Sequence, residues 1–380
     1  MKKIFIGLVS LFILTACSGS DYKASVLDAE KAGKAEVIKI GIVAPFSGDA
    51  SAFGEDMRKI FDYELSKINE KAARDGKKFQ LVYEDGKCSG ADSVSAFQKL
   101  TDVDGIKLII GGTCSSETLA MAPLAQAKSV LLLSAASSNP DIEKEGEYVF
   151  SLSYKDSLVG EGIAKELGKY GKVAIISEQN DYNVGIKKVV LDNLDKNVKV
   201  AADETFTKGG NDFRGILEKV AKTKPEALFL NPNVGTTANN LLKQLSEIPS
   251  LKDTKLISQV GYLADESRSS ATKSAEGMII IDSPKMTDPE FLKKFDEIVS
   301  AKGGINTIGY YFTASTLDDL DIVSTLALEY GDNAAKIKDA LRSRTFEGYL
   351  GTIHFGQDNF VQNVPVGIYI VKNGKAVYQQ

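Results

Sequence analysis

A chain of 380 residues is long enough for two domains with cores of their own, and 43% hydrophobic against 26% charged residues fits a folded globular protein. A formal net charge of −5 and the absence of any basic stripe argue against a nucleic-acid partner. A single histidine excludes a histidine-rich metal site and leaves little for triad chemistry.

In chain order, the first twenty residues do not belong to the fold. Lys2 and Lys3 precede an apolar run, Ile4 to Leu14, that is too short to span a bilayer. Leu14-Thr15-Ala16-Cys17 is similar to the bacterial lipobox, in which the cysteine is lipidated and becomes the mature N-terminus. The other reading is an ordinary signal peptide with a chance cysteine. Residues 1–16 are expected to be the signal segment and 17–36 a polar tether.

Val37 to Val43 predicts a strand, followed by the loop Ala44-Pro45-Phe46-Ser47-Gly48-Asp49 and a helix with Met57, Ile60, Phe61, Leu65 and Ile68 on one face. Strands at Phe79–Glu84, Lys107–Gly112 and Val130–Leu133 alternate with helical stretches, as in βαβ units around a mostly parallel sheet. The alternation restarts after residue 153, with strands at Lys172–Ser177, Val198–Ala202, Ala227–Leu230, Lys255–Ser258 and Met278–Ile281. A helix is expected from about Val184 and a later one over Asp318–Tyr330. Asn373-Gly374 between two apolar runs is a type I′ hairpin signal.

Two apolar runs end in small hydroxyl residues: Leu108 to Thr113 runs into Cys114-Ser115-Ser116, and Val130 to Leu133 into Ser134-Ala135-Ala136-Ser137-Ser138. Such loops follow the carboxyl ends of buried parallel strands, where open α/β sheets bind ligands. Ser115, Ser116 and Thr118 suit a helix N-terminus whose N–H groups favour an anion, or they simply cap the helix. Cys88 and Cys114 both follow predicted strands, so a disulfide and two free thiols are both open. No Gly-x-Gly-x-x-Gly follows Val43 and no phosphate-loop lysine occurs, so no nucleotide cofactor, and no metal, is expected. His354 lacks partners and is expected in the core or a hinge.

From Val37 to Tyr378 the chain resembles a type I periplasmic binding protein of the leucine/isoleucine/valine-binding branch. The resemblance rests on Ile38-Lys39-Ile40-Gly41-Ile42 with Ser47-Gly48, Tyr83-Glu84-Asp85 ahead of Cys88, Cys114-Ser115-Ser116, Ser134 to Pro140, Asn211-Asp212-Phe213 with Pro225, and Ala275-Glu276-Gly277, in this order and spacing. It implies an α/β fold of two Rossmann-like lobes with mostly parallel sheets, joined by three hinge crossovers and closing on a ligand. The lobes are expected at 37–153 with 284–354, and at 154–283 with 355–380. It also implies the Cys88–Cys114 disulfide.

Carried over, Ser115 and Ser138 would meet a ligand carboxylate, the Ala136 carbonyl an ammonium, and Tyr182 would close over the ligand. Phe53 stands as an aromatic wall or as ordinary helix-start packing. The family's acidic residue falls on Val260, and a second-lobe tyrosine near Asn231 or Asn233. Either Asp181, Glu178 or Asp265 substitutes, or the ligand is not an α-amino acid; Asn233, Gln259 and Tyr262 suit neutral hydrogen bonding. The resemblance therefore implies a monomeric, non-enzymatic, lipid-anchored extracytoplasmic receptor that binds a hydrophobic amino acid and feeds an ABC transporter permease. The alternative is a sensing domain for a small carboxylate or amide.

Overall fold

The computed structural model describes residues 35–48, 50–305 and 309–379; the expected signal segment and Cys17 lie outside them. Two parallel-sheet layers organise the chain. In the first lobe, β1 (Glu36–Ala44), β2 (Lys77–Asp85), β3 (Leu108–Gly111), β4 (Leu131–Ser134) and β5 (Val149–Ser151) form a sheet of order β2-β1-β3-β4-β5. Helices α1 (Ser51–Ala72), α2 (Gly90–Gln98) and α3 (Ser115–Lys128) are its crossovers. The apolar strands β3 and β4 are buried throughout, as strands covered by helices on both faces must be. Met57, Ile60, Phe61 and Ile68 of α1 are buried in the core that this helix shares with β1.

The chain then passes to the second lobe. It comprises α4 (Asp156–Leu167), β6 (Lys172–Gln179), α5 (Asp181–Asn193), β7 (Lys199–Thr207), α6 (Arg214–Thr223), β8 (Ala227–Asn231), α7 (Thr236–Ser246), β9 (Lys255–Ser258) and β10 (Ile279–Asp282). Returning to the first lobe, α8 (Pro289–Lys302), α9 (Gly309–Tyr330), α10 (Ala334–Ser343) and the small hairpin of β11 (Phe346–Gly348) and β12 (Gly351–Ile353) follow. Finally β13 (Gly367–Lys372) and β14 (Lys375–Tyr378) join the second sheet, whose order is β14-β13-β10-β9-β8-β6-β7. Asn373 and Gly374 both have positive φ, 52° and 78°, as the expected hairpin turn requires.

Both sheets reverse strand order at one point, between β1 and β3 and between β6 and β8. Ligands of open α/β sheets bind at such points, beyond the carboxyl ends of the strands. Loops from both sheets meet at one cavity.

Four expectations change. Residues 355–361, expected with the second lobe, pair with the first: Ser151 N–H donates to the Asn359 carbonyl at 3.0 Å and Val361 N–H to the Ser151 carbonyl at 2.9 Å. The last crossover therefore comes after them. His354 is exposed rather than buried, since only its backbone is engaged, accepting from Gln362 N–H at 2.9 Å. Helix α5 starts at Asp181 because the Asn180 side chain caps Asn183 N–H at 2.9 Å.

Helix α9 starts at Gly309, nine residues before its expected start at Asp318. Thr313 and Thr316 donate their hydroxyls back to the carbonyls of Gly309 and Phe312, at 2.7 and 2.6 Å, so the extra turns keep their polar groups satisfied in the core. Two carboxyls lie in this buried helix. Asp318 accepts the N–H groups of Tyr349 and Leu350 at 2.8 and 2.9 Å, whereas both Asp319 oxygens lack a hydrogen-bond partner among the described residues. Burial, then the neighbouring Asp318, pushes the Asp319 carboxyl well above its ordinary value. The folded state thus holds a proton that the unfolded state releases, and stability falls as pH rises above about 4. Asp319→Asn should gain on the wild type as pH rises, reaching about 1–3 kcal/mol at pH 8. Thermal unfolding of both proteins from pH 4 to 8 checks this; a gap that does not widen with pH counts against it.

Candidate functional site

The first-lobe half of the site is built by the N-terminus of α3. The N–H groups of Glu117 and Thr118 bond the Cys114 carbonyl at 2.9 and 3.2 Å, and the helix supplies no partner for those of Ser115 and Ser116. Ser115 is 2% exposed, and its hydroxyl has no hydrogen-bond partner among the described residues although it lines a cavity between the lobes. A buried hydroxyl beside free helix N–H groups favours an anionic oxygen.

Hydroxyls nearby brace this helix end. The Ser134 and Ser137 hydroxyls donate to the Gly112 carbonyl at 2.6 and 2.9 Å, and those of Thr118 and Ser137 lie 2.7 Å apart. Ser315 of α9 donates to the Ala135 carbonyl at 2.9 Å. These bonds leave Ala136 and Ser138 to face the cavity.

Glu117 ties the two cysteine loops together. One carboxyl oxygen accepts from Cys88 N–H at 2.9 Å; the other accepts from Thr113 and Cys114 N–H at 2.9 and 3.0 Å. Burial pushes this carboxyl up to about 7, against the three N–H bonds that pull it down. Cys88 and Cys114 form a disulfide across the same loops.

The second lobe contributes loops from the carboxyl ends of its strands: Asn180 and Tyr182 after β6, Lys208 after β7, Asn233 after β8 and Val260 after β9. Tyr154, from the first crossover, and Phe312, from α9, close the floor, while Ala50, Phe53 and Thr113 complete the first-lobe wall. The cavity has a volume of about 70 Å³ for water-sized occupants and opens partly to solvent, which is room for several waters or a small ligand.

The lobes are closed. Lys208 of the second lobe donates to the Cys88 carbonyl of the first at 2.8 Å, and Asn139 donates to the Asp181 carbonyl at 2.6 Å. Since the Lys208 bond spans the lobes, it favours the closed state only. Lys208→Ala should weaken ligand binding about threefold to tenfold without changing thermal stability of the free protein. Ligand titration and unfolding of the variant would show this; unchanged affinity contradicts the latch.

Of the residues singled out from sequence, Phe53, Ser115, Ser116, Ala136, Ser138, Tyr182 and Asn233 meet at this cavity. Gln259 does not line it. Its amide donates to Asn231 Oδ1 at 2.9 Å and to the Pro232 carbonyl at 2.7 Å, and its oxygen accepts Gly261 N–H at 2.7 Å. It reaches the site only through the Tyr182 hydroxyl at 3.5 Å. Tyr262 is buried and donates to the Ala238 carbonyl at 2.8 Å. The three acids offered as substitutes also stand elsewhere: Glu178 accepts Asn233 N–H at 2.8 Å, Asp265 pairs with Arg268, and the Asp181 side chain is exposed. Tyr154, Lys208 and Phe312 were missed; each is an ordinary residue of a loop, crossover or helix start, with no pattern to mark it.

Among the described residues no Asp or Glu lines the cavity. Two buried carboxyls lie behind it. Asp156, at the start of α4, has neither oxygen in a well-formed hydrogen bond, although the Ser138 hydroxyl stands near it. Asp282, at the end of β10, accepts the Tyr154 hydroxyl at 2.8 Å and Ser283 N–H at 2.7 Å on one oxygen, while the other oxygen has no partner. Burial pushes both carboxyls up, Asp282 to about 6. Among the described residues no group of His, Cys, Asp or Glu is placed to hold a metal ion, and no helix is long and apolar enough to cross a membrane.

A family model described as periplasmic binding protein matches residues 37–376, and one described as prokaryotic membrane lipoprotein lipid attachment site matches residues 1–18. The Leu/Ile/Val-binding protein of Escherichia coli (strain K12) is 25% identical over 345 residues, 88% of this chain and 91% of that protein. Among solved structures, the branched-chain amino acid transporter substrate binding protein LivJ of Streptococcus pneumoniae, in complex with isoleucine, has a TM-score of 0.76 at 23% identity, covering 90% of this chain and 100% of that one. A solute binding protein of an ABC transporter from R. palustris, in complex with 4-hydroxybenzoate, has a TM-score of 0.79 at 17% identity, covering 91% and 96%. The chain belongs to the periplasmic binding protein family and is a lipid-anchored extracytoplasmic protein.

Proposed function

We propose that this member of the periplasmic binding protein family is the solute-binding subunit of an ABC importer, and that it captures a small apolar amino acid by lobe closure. The observation that carries the reading is the buried Ser115 hydroxyl at the α3 N-terminus, without a partner among the described residues, in the lining of a cavity of about 70 Å³ between two closed lobes. Ser115, Ser116 and Ser138 hold the ligand carboxylate by hydroxyl and N–H groups, without a buried cation. Ala136 offers its carbonyl to the ammonium, and Phe53, Tyr154, Val260 and Phe312 pack the side chain, under a cover formed by Tyr182, Asn180 and Asn233. Similarity to a Leu/Ile/Val-binding protein supports this class of ligand. Nothing in this arrangement offers a nucleophile with a general base, so the role is binding without turnover. Cys17 carries the lipid anchor, the permease is the partner, and the receptor acts as a monomer.

A second reading, a carboxylate without an ammonium, is favoured by a lining that holds no acid among the described residues. A thermal-shift panel of the twenty amino acids, simple organic acids, amides and nucleosides separates the two. A ligand at a hundred times its dissociation constant stabilises the protein by about 2.7 kcal/mol. Apolar amino acids should lead; a panel led by desamino acids selects the second reading, and one without any carboxylate hit overturns both.

A further inference from the structure

Among the described residues the cavity wall presents hydrogen-bond donors and a lysine, and no acid. An ammonium held there by the Ala136 carbonyl alone would be poorly compensated for lost hydration. Four buried carboxyls stand against the wall: Glu117 is taken up by the N–H groups of Cys88, Thr113 and Cys114 at the donor end and Glu178 accepts Asn233 N–H, which leaves the two behind the floor, Asp156 and Asp282. Asp282 is fully buried, and one of its oxygens lacks a partner. It is in contact with the cavity wall at two places: Tyr154 donates its hydroxyl to it at 2.8 Å, and Val260 turns its backbone N–H towards it. Asp156 lies close enough to Asp282 for the Asp282 charge to oppose its ionisation, and it stands beside Ser138, a third wall residue. Two carboxyls buried this deeply are costly for the fold unless something in their surroundings favours a negative charge there.

We propose that Asp282 is the residue that makes the cavity select ligands bearing an ammonium group, acting from behind the wall through Tyr154. This rests on the amino-acid reading above and adds the origin of its selectivity. Because Tyr154 spends its O–H as a hydrogen-bond donor to the Asp282 carboxylate, the phenolic oxygen at the cavity wall keeps its lone pairs to accept an N–H of the ligand. The carboxylate behind then supplies the countercharge. Because water is excluded between them, the charge is felt over a distance of one side chain. Asp282 is thus a positioning residue for charge and makes no contact of its own with the ligand.

The test compares affinities within matched pairs: alanine with propanoate, valine with 3-methylbutanoate, leucine with 4-methylpentanoate, and phenylalanine with 3-phenylpropanoate. The wild type should prefer the amino acid of whichever pair fits. Asp282→Asn should reduce that preference about tenfold or more, nearly all of it through the amino acid. A merely structural role would lower both members of the pair alike, and that result overturns the proposal. Tyr154→Phe should reduce the preference in the same direction, and it carries the test if Asp282→Asn does not fold. Val260→Glu, which puts a carboxylate on the wall itself, should restore preference to the Asp282→Asn protein. Wild type that binds a desamino acid at least as tightly as its partner overturns this inference but leaves carboxylate binding intact. Wild type that binds neither member of any pair overturns both.

Discussion

Replacing Ser115 with alanine should move ligand affinity and stability in opposite directions. The Ser115 hydroxyl is buried without a partner in the protein, so it costs the unliganded fold roughly 1 kcal/mol or more of unmet hydrogen bonding. Alanine removes that group with little change of shape. The free protein should therefore melt at the same temperature or slightly higher. In the complex the same hydroxyl donates to a carboxylate, a charge-assisted bond of about 1.5–3 kcal/mol, so affinity should fall by roughly ten- to a hundredfold. The backbone N–H groups of Ser115 and Ser116 are untouched, so binding is weakened rather than abolished. Titration of the variant with the best carboxylate from the panel, beside a melt of the free protein, gives both signs. Unchanged affinity would mean that the carboxylate end lies elsewhere, and a large loss of stability would mean that the hydroxyl has a structural role.

The sequence reveals the first-lobe half of the site more fully than the second. Leu108 to Gly111 and Leu131 to Ser134 are apolar enough to be strands only if covered on both faces, and the hydroxyl clusters that follow them can only be loops at strand ends. That logic marks the two hydroxyl-lined segments, and the family resemblance picks Ser115 and Ser138 out of them. It does not say which hydroxyls are spent internally: Thr118, Ser134 and Ser137 converge on the Gly112 carbonyl, and only tertiary packing decides this. The orientation of Gln259 was equally hidden. It is drawn inward by bonds to Asn231, Pro232 and Gly261, partners far apart or unremarkable in the sequence. Lys208 reads as a solvated loop lysine until the lobes close and bring the Cys88 carbonyl to it. Helix α9 begins at Gly309 although Thr313, Ser315 and Thr316 are weak helix formers; burial and back-bonded hydroxyls outweigh that propensity. Tyr154 and Asp282 gain meaning only as a pair, 128 residues apart.

Removing the Cys88–Cys114 disulfide should cost more stability than binding. The two cysteines are 26 residues apart, and a loop of that length gives a chain-entropy contribution of about 3–4 kcal/mol. The first lobe should then unfold on the order of 10 °C lower in the Cys88→Ala/Cys114→Ala protein. The effect on affinity should be smaller, about twofold to fivefold, because Glu117 holds the same two loops independently. Its carboxyl bonds the N–H groups of Cys88, Thr113 and Cys114, which keeps the α3 N-terminus in place when the sulfurs are gone. Adding Glu117→Gln to the double alanine protein removes this second link by placing an amide N–H₂ against N–H donors. Affinity should then fall well beyond the sum of the separate losses, since either link alone suffices to seat Ser115. Unfolding curves and ligand titrations on the three proteins measure the coupling. Strict additivity would show that the disulfide and the carboxyl act on different parts of the loop pair, and that Ser115 is seated by its own helix alone.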